Sequence, residues 1–311
     1  MAEMKKCVIA TRESPLAMWQ AVHVKELLER HSPGMEVELF GMTTKGDRIL
    51  DKTLSKIGGK GLFVVELEAA IREGRADLAV HSLKDIPMEL SEGFVLAAVS
   101  SREDPRDAFV SARYASLEEM PAGAVVGTAS LRRELMVRCR YPHLVVRPVR
   151  GNVGTRLRKL DEGQYDALVM ASAGLKRLGL SERIRSVIEP EVSLPSPGQG
   201  ALGIEVAQDN LRTREAVAFI NDAACRACTA AEREVSRALG GSCQVPLAAY
   251  AVPEGDGGMW LRAMVGNHRT GEAIFAETHG RLEAPLEAAG EVLGRLRAEG
   301  AERILKEVLG G

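Results

Sequence analysis

The sequence predicts an α/β protein closed by a smaller α+β unit, and three observations carry that prediction. The apolar period switches repeatedly between strand-like and helix-like over the first two thirds. The alternation restarts after a charged, proline-containing break at Ser101–Arg106. The last third reads instead as helix, three strands and helix.

The elements follow in order. Cys7–Ala10 reads as a strand, and Pro15–Arg30 as a helix with Ser14 at the N-cap and Pro15 at the first helical position. Val37–Met42 is a strand, Phe63–Glu73 a helix, Asp77–His81 a short buried strand and Phe94–Ser100 another. Then come strands near Ala108–Val110 and Ala124–Gly127, helix Leu131–Arg140, strand Leu144–Val149, helix Val153–Glu162 and strand Ala167–Ala171. Such alternation predicts a largely parallel sheet. Helix Asp222–Leu239, strands Val245–Val252, Met259–Val265 and Ala273–Thr278, and helix Pro285–Glu299 complete the chain. Boundaries are expected at Ser101–Arg106, Leu194–Gly200 and about Ile220–Asp222. Thr43–Gly61, with four glycines and four lysines, fits no element; it reads either as a solvated loop or as a lid carrying Lys56 and Lys60.

Composition narrows the function classes. The 311 residues are 45% apolar and 27% charged, which is ordinary globular usage. The net charge is −2 and aromatics are 4%, so neither nucleic acid nor an anionic membrane is an expected partner. The uncharged stretch Ala238–Pro253 is broken by Gly240, Gly241, Gln244 and Pro246 and does not read as a span. Met1–Thr11 has too short an apolar run for a signal peptide, and five cysteines in a long chain do not suggest a disulfide framework. A cytoplasmic location is expected.

Charge asymmetry is the strongest functional signal. Between Ser130 and Leu160, Arg132, Arg133, Arg138, Arg140, Arg147, Arg150, Arg156, Arg158 and Lys159 face only Glu134. Arg138, Arg140, Arg158 and Lys159 are expected to coat helices. Arg132 and Arg133 follow the small-residue turn Gly127-Thr128-Ala129-Ser130, and Arg150 precedes Gly151-Asn152. In each case a strand ends and a helix begins, so backbone N–H groups and arginines can converge on an anion. Cys243 sits in a glycine-flanked turn, Gly240-Gly241-Ser242-Cys243-Gln244-Val245-Pro246, which hints at covalent chemistry. Cys225-x-x-Cys228 invites a redox or zinc reading, but it lies inside a predicted helix with no second ligand pair, so two buried small residues is preferred and no metal is expected. His81-Ser82-Leu83-Lys84-Asp85 ends an apolar strand, where open α/β sheets bind ligands. His81 reads equally as a structural histidine. No HExxH, P-loop or GxSxG is present.

Taken together, these residues resemble the porphobilinogen deaminase (hydroxymethylbilane synthase) family over essentially the whole chain. The matching segments are Ile9–Ala17, Gly58–Phe63, Ala79–Asp85, Glu103–Ala108, Gly127–Arg133, Arg150–Arg156, Gly198–Gly200 and Glu232–Pro246. The resemblance implies two similar α/β lobes of the periplasmic-binding-protein-like type II class plus a small C-terminal α+β domain. Lobe one would take 1–100 and 200–220, lobe two 101–199, and the third domain 221–311. It further implies a dipyrromethane cofactor held to Cys243 by a thioether. On this primer four porphobilinogens condense head to tail with loss of ammonia, and hydrolysis then releases hydroxymethylbilane.

Residue by residue, the resemblance makes Asp85 the catalytic carboxylate, stabilising the cation left when ammonia departs. Ser82, Lys84, Asp85, Thr128, Ser130, Arg132, Arg133, Arg150 and Gly151 would hold the cofactor. Arg12, Ser14, Arg150, Arg156 and Gln199 would hold substrate, whose two carboxylates per ring require cations. Lys56, Lys60 and Phe63 would belong to the lid. The chain is expected to act as a monomer. Ala129, where serine is common, and Ser196-Pro197 depart from the family pattern. A non-catalytic two-lobed anion binder would account for the lobes and arginines, but not for the third domain or Cys243.

Overall fold

The computed structural model describes residues 4–44, 46, 64–240 and 245–310. The first sheet takes β1 (Lys6–Arg12), β2 (Glu36–Met42), β3 (Leu78–Ser82) and β4 (Phe94–Val99), with helices α1 (Pro15–His31) and α2 (Val65–Arg72) between them. The chain then crosses to a second sheet of β5 (Asp107–Val110), β6 (Val125–Gly127), β7 (Val145–Arg147), β8 (Ala167–Ala171) and β9 (Ser186–Ile188). Its helices are α3 (Leu131–Arg140), α4 (Val153–Asp161) and α5 (Ser172–Arg177). The chain returns to the first sheet with β10 (Leu202–Ala207) and α6 (Leu211–Val217). It ends as α7 (Ala223–Ala238), β11 (Leu247–Pro253), β12 (Gly258–Gly266), β13 (Ala273–Arg281), α8 (Pro285–Ala298) and α9 (Ala301–Leu309).

The two large sheets share one topology. Their orders are β2-β1-β3-β10-β4 and β7-β6-β8-β5-β9. In each, the fourth strand is the one that has just crossed from the other lobe, β10 or β5, and it pairs antiparallel with both neighbours. This corrects the expectation of a largely parallel sheet. Only the β1, β2, β3 and β6, β7, β8 trios are parallel, because a strand arriving from the opposite lobe enters from the other end. Two such lobes and a small α+β domain make up the fold.

Local sequence explains the elements. Ser14 accepts a hydrogen bond from Ala17 N, and Pro15 occupies the first turn, so α1 starts where the capping pattern put it. β3 is buried through His81 and half-buried at Ser82, which accounts for its unbroken apolar run. Apolar clusters cover both faces of each large sheet: Ile9, Val24, Leu28, Leu78 and Ile204 on the α1 face, and Ala10, Leu67, Ile71 and Ala79 on the α2 face. In the second sheet Phe109, Val126 and Val137 lie on one face, with Leu157, Leu168 and Leu175 on the other. Each fully buried leucine or isoleucine contributes roughly 1.5–3 kcal/mol. The third sheet carries α7, α8 and α9 on one face through Val235, Leu261, Val292 and Ile304.

The two crossover segments run side by side. Glu103 N donates to Gly200 O at 3.2 Å, and Gly200 has φ +96°. A Cβ there would lie 2.2 Å from the Glu103 carbonyl oxygen, so only glycine allows the approach.

Candidate active site

The site is built where β3 ends. After Ser82 the chain makes a single 3-10 turn, Leu83–Asp85, in which Leu83 is buried and anchored through its N–H to Ala201 O at 2.9 Å. That anchor leaves the Asp85 side chain exposed at the mouth of a cavity also lined by Arg12, Ser14, Gln20, His81 and Ser82. Gln20, buried on α1, donates to Ser82 Oγ at 2.7 Å and fixes that hydroxyl. Arg12 comes from the end of β1 and Ser14 from the α1 cap, so substrate-assigned residues and the proposed catalytic carboxylate share one wall.

Lobe two supplies the cations. Ser130 caps α3, its Oγ accepting from Arg133 N, and the buried Thr128 Oγ1 accepts from Ser130 N at 3.2 Å. Arg132 and Arg133 are both buried and both bind Asp107, itself fully buried at the start of β5. Arg132 donates to Asp107 Oδ2 at 2.8 Å and Oδ1 at 3.1 Å, and also to Ser193 Oγ and Leu194 O. Arg133 donates to Asp107 Oδ1 at 2.9 and 3.0 Å and to Gln199 Oε1 at 3.2 Å. Lys84 Nζ reaches the same Gln199 Oε1 at 3.3 Å, joining the turn of lobe one to the arginines of lobe two. Arg156 Nε donates to Gly151 O at 2.8 Å. Gly151 has φ +112°, and a Cβ there would lie 2.6 Å from Thr155 Cγ2, so the turn into α4 requires glycine. Asn152 then caps α4 through Thr155 N.

Electrostatics marks the cluster as short of negative charge. Desolvation pushes Lys84 down to about 8, with Arg133 and Arg132 adding to the effect and Asp85 and Asp107 opposing it. Desolvation likewise lowers Arg156 to about 10, reinforced by Arg133 and Arg150 and opposed by Asp85. Burial acts upward on the Asp107 carboxyl, yet its two arginines and their hydrogen bonds overcome that cost and hold it far below the ordinary carboxylate range. Arg132 Nε is buried with no hydrogen-bond partner among the described residues. A ligand bearing several carboxylates fits this donor set, since it would restore the charge balance the chain lacks.

The predicted residues divide clearly. Arg12, Ser14, Ser82, Lys84, Asp85, Arg133, Arg156 and Gln199 are brought together by the turn and by the crossover. Arg132 and Arg133 each make four hydrogen bonds among the described residues, Arg132 to Asp107, Ser193 and Leu194 and Arg133 to Asp107, Val169 and Gln199, so both lie deeper than an assignment to ligand carboxylates supposes. Lys56, Lys60, Phe63 and Cys243 lie outside the described residues. Arg138 and Arg158 are exposed and paired with Glu134 and Glu162 on their own helices, and Arg140 is exposed too. Cys225 and Cys228 are buried in α7, and burial raises both thiols to about 12, so they are packing groups rather than thiolates. No cluster able to hold a metal ion occurs among the described residues. Gly198-x-Gly200-x-x-Gly203 has dinucleotide-fingerprint spacing, yet it leads into a strand, β10, rather than from a strand into a helix. Sequence reasoning missed Asp107, Gln20 and Glu205. Asp107 stood inside the quoted Glu103–Ala108 segment, but nothing in its neighbours said that it faces two arginines.

The same conclusion comes from known proteins. Residues 7–215 match the porphobilinogen deaminase, dipyromethane cofactor binding domain, and residues 226–299 match the porphobilinogen deaminase C-terminal domain. The chain belongs to the porphobilinogen deaminase family. It is 56% identical over 312 residues to porphobilinogen deaminase of Laribacter hongkongensis, covering 96% of this chain and all of that one. It is 57% identical to the Bordetella parapertussis porphobilinogen deaminase, covering 99% and 98%. Among solved structures it is similar to an ABC transporter periplasmic substrate-binding protein from Coxiella burnetii (TM-score 0.45, 12% identity, covering 69% and 91%). As a porphobilinogen deaminase the chain is a transferase of tetrapyrrole synthesis, and its first matched region is the cofactor-binding one.

Proposed function

We propose that the chain condenses porphobilinogen head to tail at the cavity beside Asp85, releasing ammonia at each of four additions before hydrolysis frees hydroxymethylbilane. The observation that carries this reading is the meeting of one exposed carboxylate, Asp85, and its neighbour Lys84 with two desolvated cations of the opposite lobe, Arg133 and Arg156. Dipyrromethane, when bound, supplies the pyrrole carbon on which the chain grows. Lys84, Arg132, Arg133 and Arg150, with the Thr128–Ser130 and Gly151 turns, would hold its carboxylates, Cys243 would carry it, and Arg156 would meet the carboxylates of incoming rings. The Asp85 carboxylate lies beside the substrate nitrogen in this reading and offsets the positive charge that develops as ammonia leaves, in a site where fixed charges need no reorganisation. Arg12 and Ser14 orient the incoming ring, and Gln20 keeps the Ser82 hydroxyl in place beside it.

In this reading lobe one is 1–100 with 200–220, lobe two is 101–199 and the cofactor-carrying domain is 221–311, with Lys56, Lys60 and Phe63 in a lid. The chain acts as a cytoplasmic monomer on a small-molecule substrate, with no nucleic acid or membrane as partner. The test is ammonia release from porphobilinogen together with intact mass. Wild type should carry one dipyrromethane above its sequence mass and Cys243→Ser should not. Asp85→Asn should keep the adduct but lose turnover, and Asp85→Glu should retain part of it. An active protein at its bare sequence mass would overturn the assignment.

A further inference from the structure

Behind the cavity lies a group of titratable side chains that the reading above leaves unused. His81 and Glu205 sit on adjacent antiparallel strands, with Gly203 opposite His81 and Glu205 opposite Ala79. They are therefore diagonal neighbours on one face, and His81 Nε2 meets Glu205 Oε2 at 2.9 Å. Both side chains are buried, Glu205 completely, while His81 also lines the cavity with Arg12, Ser82 and Asp85. The second oxygen, Glu205 Oε1, is buried with no hydrogen-bond partner among the described residues. Glu68 on α2, 5% exposed, faces it. Burial, and then the Glu205 carboxylate, raise the Glu68 carboxyl, against the Ser91 hydroxyl and Arg72, which lower it. A proton kept on Glu68 and donated to Glu205 Oε1 satisfies the orphaned oxygen and leaves one negative charge on the pair.

We propose that His81, held from behind by the buried Glu205 and Glu68, is the base that opens on the cavity, with His81 Nδ1 accepting the proton that the accepting pyrrole carbon loses at each condensation. This rests on the reading that condensation occurs beside Asp85. The balance demands such a group. The C–N bond of the substrate's aminomethyl ammonium breaks and ammonia leaves with the electron pair. A C–C bond forms from the π electrons of the accepting ring, after which that carbon's C–H bond breaks and its electrons return to the ring. The proton passes to Nδ1 and then to the departing ammonia, which leaves as ammonium, and the imidazole is restored. A base other than Asp85 lets that carboxylate keep its charge through the whole cycle, ready for the next cation. Glu205 accepts from Nε2–H, which fixes the tautomer, makes Nδ1 the basic nitrogen and steadies the imidazolium while it exists. Glu205 and Glu68 are positioning residues in this scheme. The charged and titratable groups around His81 are Glu205 from β10, Glu68 and Arg72 from α2, Arg12 at the end of β1 and Asp85 on the turn.

The test uses holoenzyme with 15N-labelled histidine and porphobilinogen deuterated at its free α-carbon. The wild-type His81 ring, assigned by the signal missing in His81→Gln, should be the Nε2–H tautomer. Turnover should fall about 100-fold in His81→Gln and by tenfold or more in Glu205→Gln, with a primary isotope effect absent from wild type. Glu68→Gln, which keeps a neutral donor to Oε1, should stay within threefold. An Nδ1–H tautomer in wild type overturns the proposal. So does a Glu205→Gln enzyme with unchanged turnover and no isotope effect, and that arm remains open if His81→Gln does not fold. The tautomer is read without turnover, so its failure is distinct from a failure of the Asp85 reading, which Asp85→Asn reports by itself.

Discussion

Replacing Asp107 with asparagine tests how the arginine cluster is held. The fully buried carboxylate accepts six hydrogen bonds, from both guanidiniums, Ser193 and Gln199. Asparagine keeps the shape but removes the charge and turns an NH2 group toward donors. Ser193 Oγ, Leu194 O, Val169 O and Gln199 Oε1 remain as neutral acceptors, yet two buried guanidiniums lose the one carboxylate they pair with among the described residues. Stripping one partner from a buried ion pair costs about 3–5 kcal/mol. Because several domains need not unfold together, hydrogen exchange of β5 and α3 is the right measure, supported by urea titration. Their opening free energy should fall by that amount at pH 7.5. Asp107 is held far below the ordinary carboxylate range, so its stabilisation is present above the unfolded value of about 3.9 and is lost as pH falls toward the folded one. The gap between wild type and Asp107→Asn should therefore be flat from pH 8 to 5 and narrow only below about 4. A loss under about 1 kcal/mol, or a gap already closing between pH 7 and 5, would refute the argument.

Other outcomes follow from the same geometry. Lys84, lowered to about 8, should bind carboxylates best when protonated, so the affinity of the apoprotein for a pyrrole dicarboxylate should weaken as pH rises through 8. Lys84→Gln should flatten that profile in titration calorimetry. Cys225→Ala with Cys228→Ala should cost about 0.5–1.5 kcal/mol per site in packing and leave ammonia release intact; stoichiometric zinc in the wild type would sink that reading. Arg132→Leu breaks the Asp107 knot and should yield mainly apoprotein by intact mass, whereas Arg12→Leu, on the other lobe, should load the cofactor but stall elongation.

Local patterns made much of this molecule legible. The Ser14 cap, the strand through His81 and the turn at Gly151 all act over a few residues, and the structure places them within a residue of where the pattern did, the strand ending at Ser82. What stayed hidden depends on pairing across the fold. β10 was not singled out, because Leu202–Ala207 carries a buried glutamate in its middle and so lacks an unbroken apolar signature. That same residue, Glu205, finds His81 across 124 positions of sequence, a partnership that no spacing rule reveals. The charge surplus of 130–160 was plain, but its partition was not: Arg132 and Arg133 both close on the buried Asp107, and no spacing rule places that carboxylate opposite them.

The buried carboxylates also tie the two crossover segments to the site. Glu232 on α7, fully buried, accepts from Arg102 of the first crossover at 2.6 Å, from Gly198 N of the second at 2.7 Å and from Ala251 N of β11 at 2.8 Å. Arg102 in turn donates to Gln199 O and lies over the Tyr250 ring. Gln199 then reaches Asp107 and Pro105 O with its amide, and Lys84 and Arg133 with its carbonyl. A single residue of the crossover thus bonds to Arg102, which Glu232 of α7 holds, to the arginine cluster and to the Leu83–Asp85 turn. Breaking buried charged bonds of this kind costs several kcal/mol, so a rotation of one lobe against the other is cheapest when it pivots at Arg102–Asp107 and Gly198–Gly200 and leaves them intact. Under that constraint Lys84 and Arg133 keep their spacing at the pivot, while groups farther out, Arg12 on one lobe and Arg156 on the other, change theirs. Cations near the pivot are therefore suited to a ligand that stays in place, and the outer ones to rings that arrive and move on.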